Sequence, residues 1–592
     1  MTYETIEAAA SSDAPRVVPA SRDLFDSEAG EKSNAQQHLE LPPHLRAMRA
    51  IERVLLAGHV VRLAYSSGKD SSACANLMFN AAINIISEGH TCPLLVVSHA
   101  DTGIESPVVR AIADGELEKM RTFAAAHNIP LEIHIARPTL SASFATRVIG
   151  GRALPSFPQS SRDCSVDFKV LPMQRTTVRL NKRMPADAAP IVTLIGTRSE
   201  ESAARKVRTA ARRETAHELW YGVTGDARLS PILDWDSSDV WEYLGECAQG
   251  THHSYSDFHE VLTFYADAGG SSCVIVADMQ SAGQSKPCGA RSGCFVCCAT
   301  SADHSVENMI AQNPERYPYL VPLLQLRNLI ADSQWDWSRR NFICRTISPD
   351  GCIKVGADQY SPKMVEDLLY YTLAAQDLAN ELGAPSRVSA IGIRELIAID
   401  FFWSLRAWHP PFHALAIYFD HASGNRRYAP KIERPMRPSP APVIGEIDVG
   451  TDWDDNVSKL FPAGLRHPVW EMFVDSCGPG LRSNKVGKVF MDLEETPELD
   501  VDEEAAFDFL EFIAEEKIAT FHKPDCPDWT IGAMTYLQYG TVSLATGQSS
   551  GIDSMIRRSQ WLQRHGLHGQ QTAESLRSRC CSLVESQSEL FA

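Results

Sequence analysis

The chain has 592 residues, 56 Lys+Arg against 74 Asp+Glu, a formal net charge of −18 and 44% hydrophobic residues. That length suits two to four domains with large cores. The acidic balance argues against stand-alone nucleic-acid binding, which draws most of its non-specific affinity from phosphate contacts, so a nucleic-acid role needs a local basic patch or a partner protein.

No apolar run approaches the roughly 18–20 residues of a membrane span, and the N-terminus lacks the apolar stretch of a signal peptide. The chain is therefore expected to be cytoplasmic, with no membrane partner. Its fifteen cysteines are expected as reduced thiols or metal ligands rather than disulfides.

Residues 1–42, poor in aromatics and rich in Ala, Ser and Glu, are expected as a disordered tail. The patterning then predicts a helix at Arg46–Leu56, a strand at His59–Tyr65, a helix carrying Leu77, Met78, Ala81, Ala82 and Ile85 on one face, and a strand at Leu94–His99. A helix around Val108–Ala125 and strands at Leu131–Ile135 and Ile191–Ile195 follow. Such alternation predicts an α/β fold, a mostly parallel sheet with helices on both faces, spanning 43–250. Ligands of such sheets sit at the carboxyl ends of the strands.

A cysteine-rich segment covers 251–304. Residues 305–433 read as mainly helical, with amphipathic stretches at Leu320–Ile330, Met364–Leu382 and Ile391–Leu405. Arg434–Pro442 (RPMRPSPAP) reads as a Pro-rich linker. The final 443–592, acidic at Glu494–Glu504 and otherwise mixed, reads as an α+β region without an assigned role, its acidic stretch suiting a protein partner more than a nucleic-acid groove.

The densest chemical signal is Ser66-Ser67-Gly68-Lys69-Asp70-Ser71, between an apolar strand and an amphipathic helix. A Gly- and Ser-rich turn feeding a helix aims backbone N–H groups and the positive helix end at phosphate, and Lys69 adds a mobile charge. It is not a Walker A loop, because GxxxxGK[ST] is absent. Asp101, closing the second strand in Asp101-Thr102-Gly103, can hold a ribose or a Mg²⁺ shell, or simply make a turn. After the Ile191 strand, Gly196 permits close backbone approach, and Arg198 and Arg205 can clamp phosphate in a forked geometry. In Pro231–Leu244, Asp236 or Ser237 is expected to cap a helix that buries Val240, Trp241 and Leu244, a packing role.

Cys288, Cys294, Cys297 and Cys298 lie within one short run, with Cys273 upstream. A Cys-x2-Cys bend lets two thiolates reach one centre. Spacing alone leaves structural zinc, an iron–sulfur cluster and a redox pair open.

The SxGKDS loop, Asp101-Thr102, Gly196-Thr197-Arg198 with Glu201-Ser202 and Arg205, Pro231–Leu244 and Gly293-Cys294…Cys297, in this order, resemble the PAPS reductase-like branch of the PP-loop ATP pyrophosphatases, whose fold is of the adenine nucleotide α-hydrolase kind. Within it, His99–Val109 and Cys288–Cys297 look most like the DndC-type sulfurtransferases of DNA phosphorothioation and their SspD-type counterparts. The resemblance covers roughly 45–330.

It implies an enzyme that splits ATP to AMP and pyrophosphate, adenylates a backbone phosphate of DNA and lets sulfur replace a non-bridging oxygen. It further implies Mg²⁺, a [4Fe-4S] cluster, a cysteine desulfurase as sulfur donor, other phosphorothioation proteins as partners, and DNA contacted within a complex. Lys69, Asp70 and Ser71 would be catalytic. Ser66, Ser67, Gly68, Lys69, Asp70 and Ser71 would form the pyrophosphate cradle, with Asp101, Gly196, Arg198 and Arg205 around the nucleotide. Cys164, in Arg162-Asp163-Cys164…Lys169…Pro172, would join Cys294, Cys297 and Cys288 as cluster ligands, with Cys273 the alternative fourth. Cys273 or Cys298 could carry a persulfide, though a buried unligated thiol is the simpler expectation for Cys298.

Two departures from the family matter. Ser67 stands where many relatives have Gly. The C-terminal Glu-Cys-Gly-x-His motif of the sulfonucleotide reductases is missing. An APS/PAPS reductase and a tRNA thiolation enzyme remain the alternative activities.

Overall fold

The computed structural model describes residues 41–160, 163–185, 188–222, 225–269, 293–348, 350–451, 481–483, 489–491, 499–545 and 547–580. Nearly all of the expected tail, together with Cys273, Cys288 and the first five residues of the Glu494–Glu504 stretch, lies outside them.

Helix α1 (Pro43–Leu56) opens on Pro at its first position, where the missing N–H costs nothing, and buries Ala47, Ala50, Ile51, Val54 and Leu55 along one stripe. Then β1 (Val61–Tyr65), α2 (Lys69–Ser87), β2 (Leu95–Ala100), α3 (Pro107–Ala126) and β3 (Leu131–Ala136) alternate as expected. After a π-helical turn at Ala145–Ile149 come α4 (Leu171–Arg183), β4 (Val192–Ile195), α5 (Ala203–Ala211), β5 (Trp220–Tyr221), β6 (Ala227–Leu229), α6 (Ser237–Ala248) and α7 (His259–Gly269). The sheet runs β3-β2-β1-β4-β6-β5, parallel except for the β5–β6 pair.

The chain builds β1, β2 and β3 outward in one direction, then returns through α4 to β4 on the other side of β1. With right-handed crossovers this puts α2 and α3 on one face and α4 on the other. On that second face Arg62 of β1 donates to Thr177 of α4. The strand order reverses between β1 and β4, and a crevice opens there at the carboxyl ends.

Beyond the sheet lie α8 (His304–Gln312) and α9 (Leu320–Asp332), then β7 (Arg340–Ile347) and β8 (Cys352–Tyr360), then α10 (Pro362–Glu381), α11 (Ile393–Leu405) and α12 (His413–Ala422). The region is mainly helical, as the patterning predicts, but the antiparallel β7–β8 hairpin, extended by β9 (Ile447–Asp448), interrupts it. The described C-terminal part holds β10 (Leu481–Ser483), β11 (Val489–Met491), β12 (Leu499–Val501), α13 (Glu503–Asp508), α14 (Ala514–Phe521), α15 (Ile531–Gln538), β13 (Val542–Leu544), α16 (Ser549–Arg564) and α17 (Ala573–Arg577). Residues 434–442 form no regular element, but Trp337 Nε1 donates to the Ser439 carbonyl (3.2 Å), so the stretch is tied down along its path.

One continuous apolar cluster runs from Ala47 through the sheet and helices α9–α11 to Ile556, so the C-terminal elements share the core of the sheet. Two polar ties reinforce this. Trp403 Nε1 donates to the Ile149 carbonyl (2.7 Å) and Arg406 to the Gly150 carbonyl (3.1 Å). Gly151, at φ +72°, lies under the Trp408 ring, which a Cβ would meet at 2.0 Å. Only glycine fits there. Among the described residues no helix is long and apolar enough to cross a membrane.

Candidate functional site

The loop between β1 and α2 sits at the reversal point of the sheet. Gly68 is the N-cap of α2, so the N–H groups of the first turn have no partners inside the helix. The loop is closed by its own hydroxyls. Ser71 Oγ donates to the Gly68 carbonyl (2.9 Å) and accepts from the Ser66 N–H (3.2 Å), and Ser67 Oγ donates to the Ser66 carbonyl (2.6 Å). Ser67 has φ +56°, a left-handed conformation that glycine adopts without strain. A Cβ on Gly68 would stand 3.1 Å from Tyr265 Oη, so α7 closes over the loop.

Three charges meet inside it. Lys69 Nζ reaches both Asp70 carboxylate oxygens (3.0 and 2.9 Å), and Arg198 Nε donates to Asp70 Oδ1 (2.6 Å). Lys69 and Arg198 are both buried, so their desolvated charges need this carboxylate. Arg198 arrives on the segment after β4, which approaches closely because residue 196 is glycine. A Cβ there would lie 3.0 Å from the Asp70 carbonyl and 3.1 Å from the Ser71 nitrogen. The sequence-predicted Ser66–Ser71, Gly196 and Arg198 are thus brought together. Arg205 pairs instead with Glu201 just before α5.

The segment expected only to pack does more. Asp236 caps α6 and makes a reciprocal capping box with Asp239, while Val240 and Leu244 are buried. Trp241 is only half-buried, and its ring centroid lies 5.8 Å from Lys69 Nζ, within cation–π reach.

Asp101 follows β2 and is buried. Burial pushes its carboxyl upward, but Arg110, Arg137 (Nε to Oδ2, 2.9 Å) and the Gly103 N–H more than offset that and hold it below the ordinary aspartate range. Asp101 therefore orients two arginines. The same loop is stitched to the cysteine segment: Phe295 N donates to the Ile104 carbonyl (2.9 Å), Glu105 bridges to Cys294, and Thr102 Oγ1 lies 3.8 Å from Cys294 Sγ.

Burial pushes the Cys294 thiol up to about 11, with Lys169 pulling the other way. Cys298 is pushed to about 12, again by burial, with Arg327 opposing and Cys297 and Cys164 near enough to add to the rise. Buried Arg327 donates to the carbonyls of Cys297 (2.9 Å) and Ser301 (2.8 Å) and so fixes this turn. No sequence motif flags Arg327. Cys164, Cys294 and Cys297 are not within 4.8 Å of one another, as a single ion would require among the described residues.

Beside Asp101 a cleft of about 2,260 Å³ opens across the carboxyl ends of β2 and β3. One wall is the basic stripe of α4, with Arg175, Arg179, Lys182 and Arg183 at i, i+4, i+7 and i+8. The other is C-terminal and includes Arg394, Arg406 and Arg558. Eleven Arg and Lys line the cleft against five acids, in a chain whose overall charge is −18. Its aromatic linings, Phe144 and Phe402, are buried. The helical recurrence in α4 is the one sequence signal that exposes part of this cleft. The rest is assembled from distant segments.

Residues 60–253 match the model of the phosphoadenosine phosphosulfate reductase domain family. The matched residues, about a third of the chain, contain the sheet and the phosphate loop described above and form a PAPS reductase-like domain of the nucleotide-using PP-loop kind. No curated protein matches the chain. Among solved structures, an FMN adenylyltransferase of Candida glabrata, in complex with FMN and the ATP analogue AMPCPP, overlaps 36% of this chain at 11% identity and a TM-score of 0.21. The same enzyme with FAD and inorganic pyrophosphate gives the same values. The overlap spans 62% and 64% of those two chains, and at that TM-score it carries no functional weight.

Proposed function

We propose that the protein is an ATP-dependent sulfurtransferase of DNA phosphorothioation. The observation that carries this reading is the cleft, an excess of positive charge at the carboxyl end of β2, the strand next to β1, in an otherwise acidic chain. Charge without exposed aromatic platforms suits a phosphate backbone as acceptor, because base recognition in single strands leans on stacking. That favours backbone modification over tRNA base thiolation.

In this reading the N-terminus of α2, Lys69 and Arg198 hold the phosphates of ATP, with Mg²⁺ arriving on the nucleotide. Asp70 keeps both cations aimed inward, and Ser71 fixes the turn. A DNA phosphate oxygen attacks the α-phosphorus and pyrophosphate leaves. A persulfide sulfur, supplied ultimately by a cysteine desulfurase, then attacks the adenylated phosphorus, AMP leaves with that oxygen, and a second thiol cleaves the S–S bond, supplying the two electrons and leaving a disulfide. Adenylation matters because a phosphate oxygen alone is a poor leaving group. Cys164, Cys294 and Cys297, with Cys288 or Cys273, would hold an iron–sulfur cluster, which would supply a thiolate-rich, electron-accepting centre next to the loop.

An APS/PAPS reductase is the second reading, favoured by the domain match. The test is iodine cleavage of DNA from cells with and without the gene, together with pyrophosphate release from ATP by the purified protein with and without DNA. Gene-dependent iodine cleavage and DNA-stimulated pyrophosphate release are expected. Release stimulated by adenylyl sulfate instead, with intact DNA after iodine, overturns the reading.

A further inference from the structure

Far from the nucleotide crevice, α10, the turn entering α12 and the end of α14 bring four side chains together. Glu366 stands on α10, His409 in the turn after α11, His413 at the first position of α12, and His522 just beyond α14. One donor atom each from Glu366, His409 and His413 lies within 4.8 Å of the others. His409 is buried, and its ring stacks on His413 at 4.4 Å.

The arrangement is poor as a hydrogen-bond network and good as a donor set. His413 Nε2 is 3.5 Å from Glu366 Oε2, and this nitrogen is buried without a hydrogen-bond partner. That is too long for a strong ion-pair hydrogen bond. It is close to the roughly 3.4 Å that separates two donors around a tetrahedral ion with bonds of about 2.0–2.1 Å.

Each residue's second polar atom, meanwhile, is already held. His409 Nε2 is 3.1 Å from the Pro362 carbonyl, His413 Nδ1 is 2.8 Å from His522 Nε2, and Glu366 Oε1 accepts from Lys363 (2.8 Å). When Nδ1–H of His413 donates to His522, the lone pair sits on Nε2, facing Glu366. When Nε2–H of His409 donates to Pro362, the lone pair sits on Nδ1. Outer partners that fix ring tautomers in this way are the usual surroundings of metal-bound imidazoles.

We infer that Glu366, His409 and His413 form a binding site for one divalent transition-metal ion, of the zinc class by its two-imidazole, one-carboxylate donors, with His522 as the orienting second layer and one coordination position left for water. The ion would tie α10 and the start of α12 together behind Trp403 and Arg406, which brace the cleft. This inference does not depend on the sulfurtransferase reading.

The test uses the full chain, purified without an affinity tag of histidines, as wild type and as Glu366→Gln, His409→Asn and His413→Gln. Mass spectrometry should find one zinc-class ion per chain fewer in each variant, with iron unchanged. After chelation, adding Zn²⁺ at about 100-fold over Kd should raise the wild-type Tm by roughly 2–3 °C and leave the variants unmoved. Co²⁺ in the wild type should give visible d–d bands without the thiolate charge-transfer absorption that cysteine ligation brings. Equal metal content and equal Zn²⁺ response across the four proteins overturns the inference. Glu366→Gln keeps the side chain's shape, so it decides the matter should a histidine variant fail to fold.

Discussion

In the loop between β1 and α2, two buried cations, Lys69 and Arg198, lean on one carboxylate, Asp70. In the adjoining cleft, eleven cations share five acids across a space of about 2,260 Å³. The first surface selects an anion by shape, through N–H groups, a closed hydroxyl ring and glycines that let backbone meet backbone. The second selects by charge density. Buried, short-range contacts are little screened by salt, whereas an open basic surface is screened strongly. A molecule that must hold one small nucleotide tightly and let a long polyanion pass would divide its chemistry in this way.

Variants can break or sharpen that contrast. The largest effect is expected from Lys69→Ala, which should slow pyrophosphate release by about 10²–10³-fold, the usual loss for one preorganised charge donor. A radiolabelled-ATP assay at low and high salt checks it, and the deficit should be the same at both. Next, replacing Arg175, Arg179 and Lys182 together by Ala should weaken DNA binding about 10–100-fold near 50 mM salt. It should also flatten the slope of log K against log salt by about 2–3, as read by fluorescence anisotropy. A loss that ignores salt would dissolve the contrast. Gly196→Ala forces the loops after β1 and β4 apart, since the new Cβ would meet Asp70 and Ser71 backbone near 3 Å. It should cost about 1–3 kcal/mol in stability by denaturant titration and raise the KM for ATP. Ser67→Gly should change stability by less than about 1 kcal/mol. It relieves a left-handed serine but gives up the bond to the Ser66 carbonyl and adds freedom to the unfolded chain.

The same contrast explains what was legible in the sequence. The loop is local, six residues between a strand and a helix, so its composition announces its conformation. The parallel strands β1–β4, with their unbroken apolar runs, are equally plain. Strands β5 and β6, two and three residues long, are too short to show a period. The β7–β8 hairpin was hidden inside a helical neighbourhood, because its bulges break the alternation that marks a strand. The cleft was harder still. Its cations are spread from Arg110 to Arg558, and an overall −18 conceals them. Arg205, whose place in a motif suggests a phosphate clamp, pairs with Glu201 just before α5.

Trp408 lying over Gly151 has a consequence for how the protein can be divided. The wall that carries Arg394, Arg406 and Arg558 is seated on the π-helical turn through that one glycine and two carbonyls. A fragment ending near residue 305 would lose one wall of the cleft and also the core residues that the C-terminal elements share with the sheet. The seam at Gly151 therefore ties the two walls of the cleft together, and loosening it should part them.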